Sequence, residues 1–518
     1  MILRLVPSII IISIFTIIIN ITKLESSIAS AAIHITMQLF FIVACLSLIS
    51  NKVVRLLLLL FLSTELFTQL AYDSSLSIGM IMSIVSASFY ETGAFITFNI
   101  LNVIATTIFI VYLYFFPPKL PSSFSKSIFG LGLLYIFLPT AITLSSQKES
   151  HKYLNYIKTG IAKGFSTTYT SIEFFIQEDI AWRLPAVKPI RGLTDTIMFL
   201  SKQRETESTW KNVTYDKDGP ELLILGIGES LRADNLSLYG YERETTPFLD
   251  SLAKQLTVVE DTYSAGTNTW SSLPATLTMN TIGPDFSKSI INLAKDAGYQ
   301  TYWISNHART SNWDFSVSAI AEQADYKYFF SEDKAGSVYD IELVRKVEPL
   351  LQVGMNKKLI ILHFYGSHMA FSDRYPPEFS FFNKKSDIDN YDNSVRYMDS
   401  VQKQLITIVK KYRGKYLFFA DHGLGNPQGP IPLKHDVREN PNIDSLRVPL
   451  FIFPKEQTSP VSKKTKHTSL FYFECIFSRW AGISSSQLEK NDYCKTSMEN
   501  ENIKFVDSTL RVNITNSP

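Results

Sequence analysis

Five long apolar runs crowd into the first 145 residues, at about 5–21, 31–50, 53–71, 97–116 and 127–145. Each is about as long as a bilayer core requires. Inside lipid a chain segment must pair its own backbone groups, so each run can only be a helix. A single run would suit a buried soluble helix or a signal peptide equally well. Five in succession read as a multi-pass helical transmembrane bundle. The first run carries no clear cleavage site, so it is expected to be retained.

Basic residues orient this anchor. Lys52 and Arg55 lie between the second and third runs, Lys119 and Lys126 between the fourth and fifth, and 72–96 has neither Lys nor Arg. The positive-inside rule then puts the N-terminus, 51–52 and 117–126 in the cytoplasm, and 72–96 and everything after about 146 outside. The 72–96 loop is fairly apolar and carries Glu91. Two readings stand side by side: a solvated loop acid, or an acid on an interfacial helix facing a site above the membrane.

Residues 146–215 change character and read as a membrane-proximal linker. Lys148, Glu149, Lys152 and Lys158 punctuate it, and 171–177 has an amphipathic look. It suits a helix lying on the outer membrane face or one packed on the following domain. A chain of 518 residues is long enough for two or three units, and 216–518 reads as the soluble one. The net charge of +2 says nothing about nucleic acid, and no basic block is present that would track phosphates, so no nucleic-acid partner is expected. Of the three cysteines, Cys45 sits in an apolar run, while Cys475 and Cys494 could pair in an oxidising compartment.

From residue 221 onward, apolar β-rich runs at 221–227, 256–260, 300–305, 358–364, 415–420 and 448–453 alternate with helix-like segments. These lie at about 245–256, 270–279, 285–297, 337–353 and 390–413. Such alternation predicts an α/β sandwich around a largely parallel sheet. Chemistry in such folds sits on the loops that follow strands. Glu229 follows the first run after two glycines, Asp421 and His422 follow another, His363 and His368 bracket a strand end, and His435 comes soon after. Oxygen and imidazole donors meeting at one sheet edge suit Zn²⁺. Thr269 lies in Gly266-Thr267-Asn268-Thr269, between a strand and a helix. A hydroxyl there is an N-cap first, but the same backbone amides can face a phosphate, and a metal-bound Thr alkoxide attacks phosphorus.

These motifs in this order resemble the phosphoethanolamine transferases of Gram-negative inner membranes, within the alkaline phosphatase/sulfatase-like superfamily. The motifs are Gly228-Glu229-Ser230-Leu231-Arg232-Ala233-Asp234-Asn235, Gly266-Thr267-Asn268-Thr269, Gly366-Ser367-His368 and Ala420-Asp421-His422-Gly423. The resemblance implies an alkaline phosphatase/sulfatase-like domain in the periplasm behind the membrane anchor. It implies zinc held by Glu229, Thr269, Asp421 and His422, with Thr269 as nucleophile. His368 and His435 match histidines near the phosphoryl group that serve the donor or a second zinc, and Glu91 matches a membrane-proximal acid of the donor site. Asp340 matches a further motif without an assigned role. The chain departs from the family at Ala87, Leu424 and His435-Asp436-Val437, and has cysteines for at most one soluble-domain disulfide.

The implied reaction moves phosphoethanolamine from phosphatidylethanolamine through phospho-Thr269 to lipid A, lipopolysaccharide core or another envelope glycan. The alternative is a phosphoglycerol transferase of the lipoteichoic acid synthase type. A sulfatase fits less well, because no Cys/Ser-x-Pro-x-Arg motif is present. A catalytically dead membrane-tethered sensor is a third class, opposed by retention of all four expected metal-binding residues.

Overall fold

The computed structural model describes residues 2–18, 28–72, 76, 99–145, 207–217, 219–280, 283–307, 315–330, 338–352, 354, 357–383, 386–429, 432–436, 438, 441–456, 467–495, 502–507 and 512–516. Glu91, Ala87, most of the 72–96 loop and most of the 146–215 linker lie outside them. The chain divides into two compact units, the second starting in the main after Met198.

The first unit contains helices α1 (Ile2–Ile18), α2 (Ile28–Leu48), α3 (Lys52–Tyr72), α4 (Ile100–Phe115) and α5 (Ser122–Ser145). Each overlaps one of the five apolar runs. Among the described residues Lys52–Ala71 is long and apolar enough to cross a membrane, and Val6–Ile18, Ile35–Leu48 and Ile100–Phe115 are shorter apolar helices. Phe15, Leu46, Leu59, Phe109 and Leu113 pack together inside this unit. Its outward face is apolar as well, with Val53, Leu57, Leu101, Phe115 and Leu131 all exposed.

The second unit is built on a seven-stranded sheet. Its strands are β1 (Leu222–Gly228), β2 (Thr257–Val259), β3 (Gln300–Ser305), β4 (Tyr326–Phe329), β5 (Lys358–His363), β6 (Lys415–Ala420) and β7 (Leu450–Phe453). Their order across the sheet is β2-β7-β6-β1-β5-β3-β4. All run parallel except β7, which is antiparallel to both of its neighbours. β1 and β5 are buried along their whole length, and Leu222–Ile227 and Leu359–Leu362 within them read as continuous apolar runs, as strands covered on both faces do. Six of the seven strands fall on the expected runs. β4 was missed because Tyr326-Lys327-Tyr328-Phe329 is largely exposed and charged in its middle.

One expected helix is half strand. Pro284–Ser289 pairs antiparallel with Thr278–Asn280, and only Ile290–Asp296 is helical. Ser289 sets that start by accepting the Asn292 N–H at 3.1 Å, an N-cap the apolar pattern alone did not reveal. The helices that matter most for the site are α6 (Thr269–Leu277) and α7 (Asp387–Lys411). α7 is capped by Ser386, with Asp387 and Asp389 in its first turn and Lys410 and Lys411 in its last, as the helix dipole favours. Cys475, in α8 (Phe473–Ala481), is disulfide-bonded to Cys494.

Candidate active site

Parallel pairing in register aligns the strand tips. Ala420 stands opposite Gly228, His363 opposite Ile227, and Ser305 opposite His363. The next residue of β1 is therefore Glu229, and the next two after β6 are Asp421 and His422. Backbone bonds hold these tips together: Asp421 N–H donates to Gly228 O at 2.9 Å, and Ser367 N–H to Glu229 O at 3.0 Å. Gly366 has φ +50°, and a Cβ there would stand 2.7 Å from the Glu229 carbonyl. A side chain would push the two turns apart, so the position requires glycine.

Thr269 begins α6. Asn268 caps the helix by accepting Ser271 N–H at 3.1 Å, which fixes the orientation of the first turn. The Thr269 hydroxyl donates to Glu229 Oε2 at 2.9 Å and lies 3.4 Å from His422 Nε2. His422 Nε2 is 3.2 Å from Glu229 Oε1 and 3.5 Å from Asp421 Oδ2. His422 Nδ1 is tied to the Gly423 carbonyl at 2.6 Å, which leaves Nε2 facing the carboxylates. Asp421 Oδ1 accepts two backbone N–H groups, from Ser230 at 3.1 Å and His422 at 2.7 Å. Ser272 Oγ anchors the Asp421 carbonyl.

Electrostatics strain this cluster. Glu229, Asp421 and His422 are all fully buried. Burial disfavours a charged Glu229, but His422, His368 and His307 outweigh it and hold its carboxyl well below the usual range. Burial and the Glu229 charge push Asp421 well above it. Burial opposes charge on His422 too, yet Asp421 and Glu229 raise it to about 9. Two carboxylates thus share one imidazole, and Asp421 Oδ2 has no hydrogen-bond partner among the described residues. A buried orphan oxygen in a doubly acidic pocket is what a cation relieves. Carboxylate, imidazole and hydroxyl donors at this spacing fit Zn²⁺.

His435 lies beside this group. Its ring centre is 4.7 Å from that of His422 and 6.2 Å from that of His368. Glu229, His422 and His435 offer ligand atoms within 4.8 Å of one another. His368 Nδ1 is 3.1 Å from the Tyr365 hydroxyl, with the two rings stacked. All the described site residues singled out from sequence thus gather at one edge of the sheet.

Three further residues find structural work here. Asp340 accepts Tyr365 N–H at 3.0 Å, Gly366 N–H at 2.8 Å and the Asn306 amide at 2.9 Å, fastening the turn that carries His368. Arg232 reaches Asn235 Oδ1 at 2.9 Å and the Leu424 carbonyl at 2.6 Å, and Asn235 donates to Asp392 of α7 at 3.0 Å. Those bonds clamp the loop after Glu229 to the loop after His422. Sequence reasoning passed over His307, which lies two residues beyond β3 with its Nε2 3.9 Å from Glu229 Oε2. The available signal was an imidazole just past a strand of the same parallel sheet.

Residues 221–483 match the family model described as Sulfatase. The putative transferase YhbX of Escherichia coli is 31% identical over 279 residues, covering 52% of this chain and 50% of that one. The phosphoethanolamine transferase EptC of Escherichia coli is 31% identical over 264 residues, 46% of each chain. The chain thus spans about half the length of these curated relatives. The integral membrane protein lipooligosaccharide phosphoethanolamine transferase A (EptA) from Neisseria meningitidis has a similar fold, with a TM-score of 0.65 and 15% identity over 92% of this chain and 95% of that one. The family match covers half of the chain and every described residue of the cluster from Glu229 to His435, so the chain belongs to the Sulfatase family, within the alkaline phosphatase-like superfamily.

Proposed function

We propose that the chain is a membrane-anchored, metal-dependent phosphoethanolamine transferase. In this reading residues 1–145 cross the inner membrane of a Gram-negative cell as five helices, 146–215 link the two parts, and 216–518 form the periplasmic catalytic domain. The exposed apolar face of the N-terminal helices supports the anchor, since helices apolar all round belong in lipid. The names of the relatives support the chemistry. The observation that carries the proposal is the Thr269 hydroxyl aimed at Glu229 and His422, beside the orphaned Asp421 oxygen.

Glu229, Thr269, Asp421 and His422 would hold one zinc ion, which when bound acidifies the hydroxyl and takes up negative charge. Thr269 Oγ, its proton already lost to solvent, attacks the phosphorus of phosphatidylethanolamine, while Glu229 and His422 hold the oxygen in line. The bond from phosphorus to the diacylglycerol oxygen breaks, and that oxygen takes a proton from His368; His435, the other histidine expected to carry protons, is pushed down to about 3 by burial and by His422 and His368 and stays neutral. Phosphoethanolamine is left on Thr269. An acceptor hydroxyl of lipid A, lipopolysaccharide core or another envelope glycan then loses its proton to the same histidine and attacks phosphorus, freeing Thr269. Glu91 is assigned to the donor site.

The test is intact and peptide mass spectrometry of the full chain incubated with phosphatidylethanolamine vesicles. Phosphoethanolamine on the peptide containing Thr269, absent in Thr269→Ala, supports the reading. Glycerol phosphate at Thr269 from phosphatidylglycerol vesicles replaces it with the phosphoglycerol transferase alternative, and no adduct from either lipid refutes both.

A further inference from the structure

Two imidazoles beside the site take no part in that chemistry. His363 closes β5, is 2% exposed, and faces Ser305 Oγ with Nδ1 at 3.2 Å. Its Nε2 is buried and has no hydrogen-bond partner among the described residues. His307 lies flat on it, with ring centres 3.9 Å apart and 6° between the planes. His307 Nε2 is 3.0 Å from the Phe364 carbonyl and 3.9 Å from Glu229 Oε2. Glu229, His307 and His363 offer ligand atoms that all lie within 4.8 Å of one another. Packing accounts poorly for this arrangement. A buried nitrogen without a partner is destabilising, and an apolar side chain at the end of β5 would avoid that cost.

We propose that Glu229, His307 and His363 form a second site for a divalent transition-metal ion, on the β3–β5 side of the Glu229 carboxylate. Glu229 would be shared, with Oε1 turned to His422 and Oε2 lying between the Thr269 hydroxyl at 2.9 Å and His307 Nε2 at 3.9 Å. Two neutral imidazoles and one carboxylate are a donor set of intermediate softness, suited to Zn²⁺ and poor for Mg²⁺ or Ca²⁺. Parallel rings cannot both direct lone pairs at one ion, so loading tilts one of them. His363 is held by Ser305, whereas His307 is partly exposed and gives up only its bond to the Phe364 carbonyl. His307 is therefore the ligand that moves. The site draws on imidazoles other than His368 and His435: Tyr365 stands between His307 and His368, with ring centres 5.1 Å and 4.7 Å away, and His435 lies beside His422.

The test counts metal, not turnover, so it stands or falls apart from the transferase reading. The detergent-solubilised full chain is stripped with chelator, equilibrated against zinc at a fixed buffered free concentration, and assayed for zinc per chain. His307→Gln keeps an amide able to donate to the Phe364 carbonyl, so the fold is retained. It should hold one zinc fewer than the unsubstituted chain, also in a His368→Ala/His435→Ala background. His363→Asn is read in the same way should His307→Gln unfold. Equal zinc content in the unsubstituted chain and the folded variant overturns the proposal.

Discussion

Replacing Asp421 with Asn should make the metal-free protein more stable while destroying its ability to gain stability from zinc. The Asp421 and Glu229 oxygens stand within 3.5 Å of the same His422 nitrogen, so they lie at most about 7 Å apart. At an effective dielectric near 20, two such charges would repel by about 2–3 kcal/mol, so the metal-free site carries either that repulsion or the cost of protonating Asp421, whose carboxyl is pushed well above its usual range. Asn keeps an oxygen for the Ser230 and His422 N–H groups and turns the orphaned Oδ2 into a donor facing a carboxylate. The net gain without metal is about 2 kcal/mol, a rise of roughly 4 °C in melting temperature for a unit of this size. Zinc at a hundredfold excess over its dissociation constant adds about 2.7 kcal/mol to the unsubstituted chain and should add almost nothing to the variant. Thermal unfolding of the full chain in detergent, followed by tryptophan fluorescence with chelator and with zinc, gives both numbers. The two curves should change order when zinc is added. A variant that melts below the unsubstituted chain in chelator would mean that Asp421 is there to hold the fold, and the cation argument would fail.

Other perturbations probe other parts of the structure. Burial raises Glu474 to about 8, so between its ordinary 4.5 and 8 the folded chain binds a proton that the unfolded chain does not. Stability therefore falls as pH rises through that window, and Glu474→Gln should match the unsubstituted chain at pH 4 and exceed it by about 5 kcal/mol above pH 8, measured by denaturant titration. Gly366→Ala forces a Cβ against the Glu229 backbone at positive φ, which should cost about 2–4 kcal/mol and lower transfer activity more than tenfold, read by melting and by lipid mass spectrometry. Replacing Cys475 and Cys494 together with Ser opens a loop of sequence separation 19, and the melting curve should show a loss of about 3 kcal/mol. A pair of variants as stable as the parent would refute the last two.

The sheet was readable because its inner strands are buried on both faces, so Leu222–Ile227 and Leu359–Leu362 are continuous apolar runs that admit few other readings. The placement of Glu229, Asp421 and His422 at strand ends was readable because Glu229 comes right after β1 and Asp421-His422 right after the apolar run of β6. β4 was not, because it is largely exposed and charged in its middle, and the Pro284–Ser289 strand was not, because it pairs locally with Thr278–Asn280 and carries no continuous apolar run. Arg232, Asn235 and Asp340 had no readable role because their partners are distant in the sequence. Their value lies in hydrogen bonds to Leu424, Asp392 and Tyr365, which only the folded chain brings near. His307 lacked a motif, and its proximity to Glu229 comes from the register of β3 on β5 and β5 on β1.

The position of β6 has a consequence for how the molecule is made. β1 is the first strand of the sheet to be synthesised, yet β6, its neighbour on one side, is next to last, and β7 and β2 attach only through β6. While the intervening chain is being produced, that flank of β1 is an unpaired, wholly apolar edge, the kind that recruits strands from other chains. Closing it requires contacts of very long sequence separation, which are slow to form. Glu229 meets Asp421 only at that moment, so any metal that the proposed site takes up would be loaded late in maturation. Truncations ending before residue 415 should therefore aggregate instead of accumulating as a smaller folded unit.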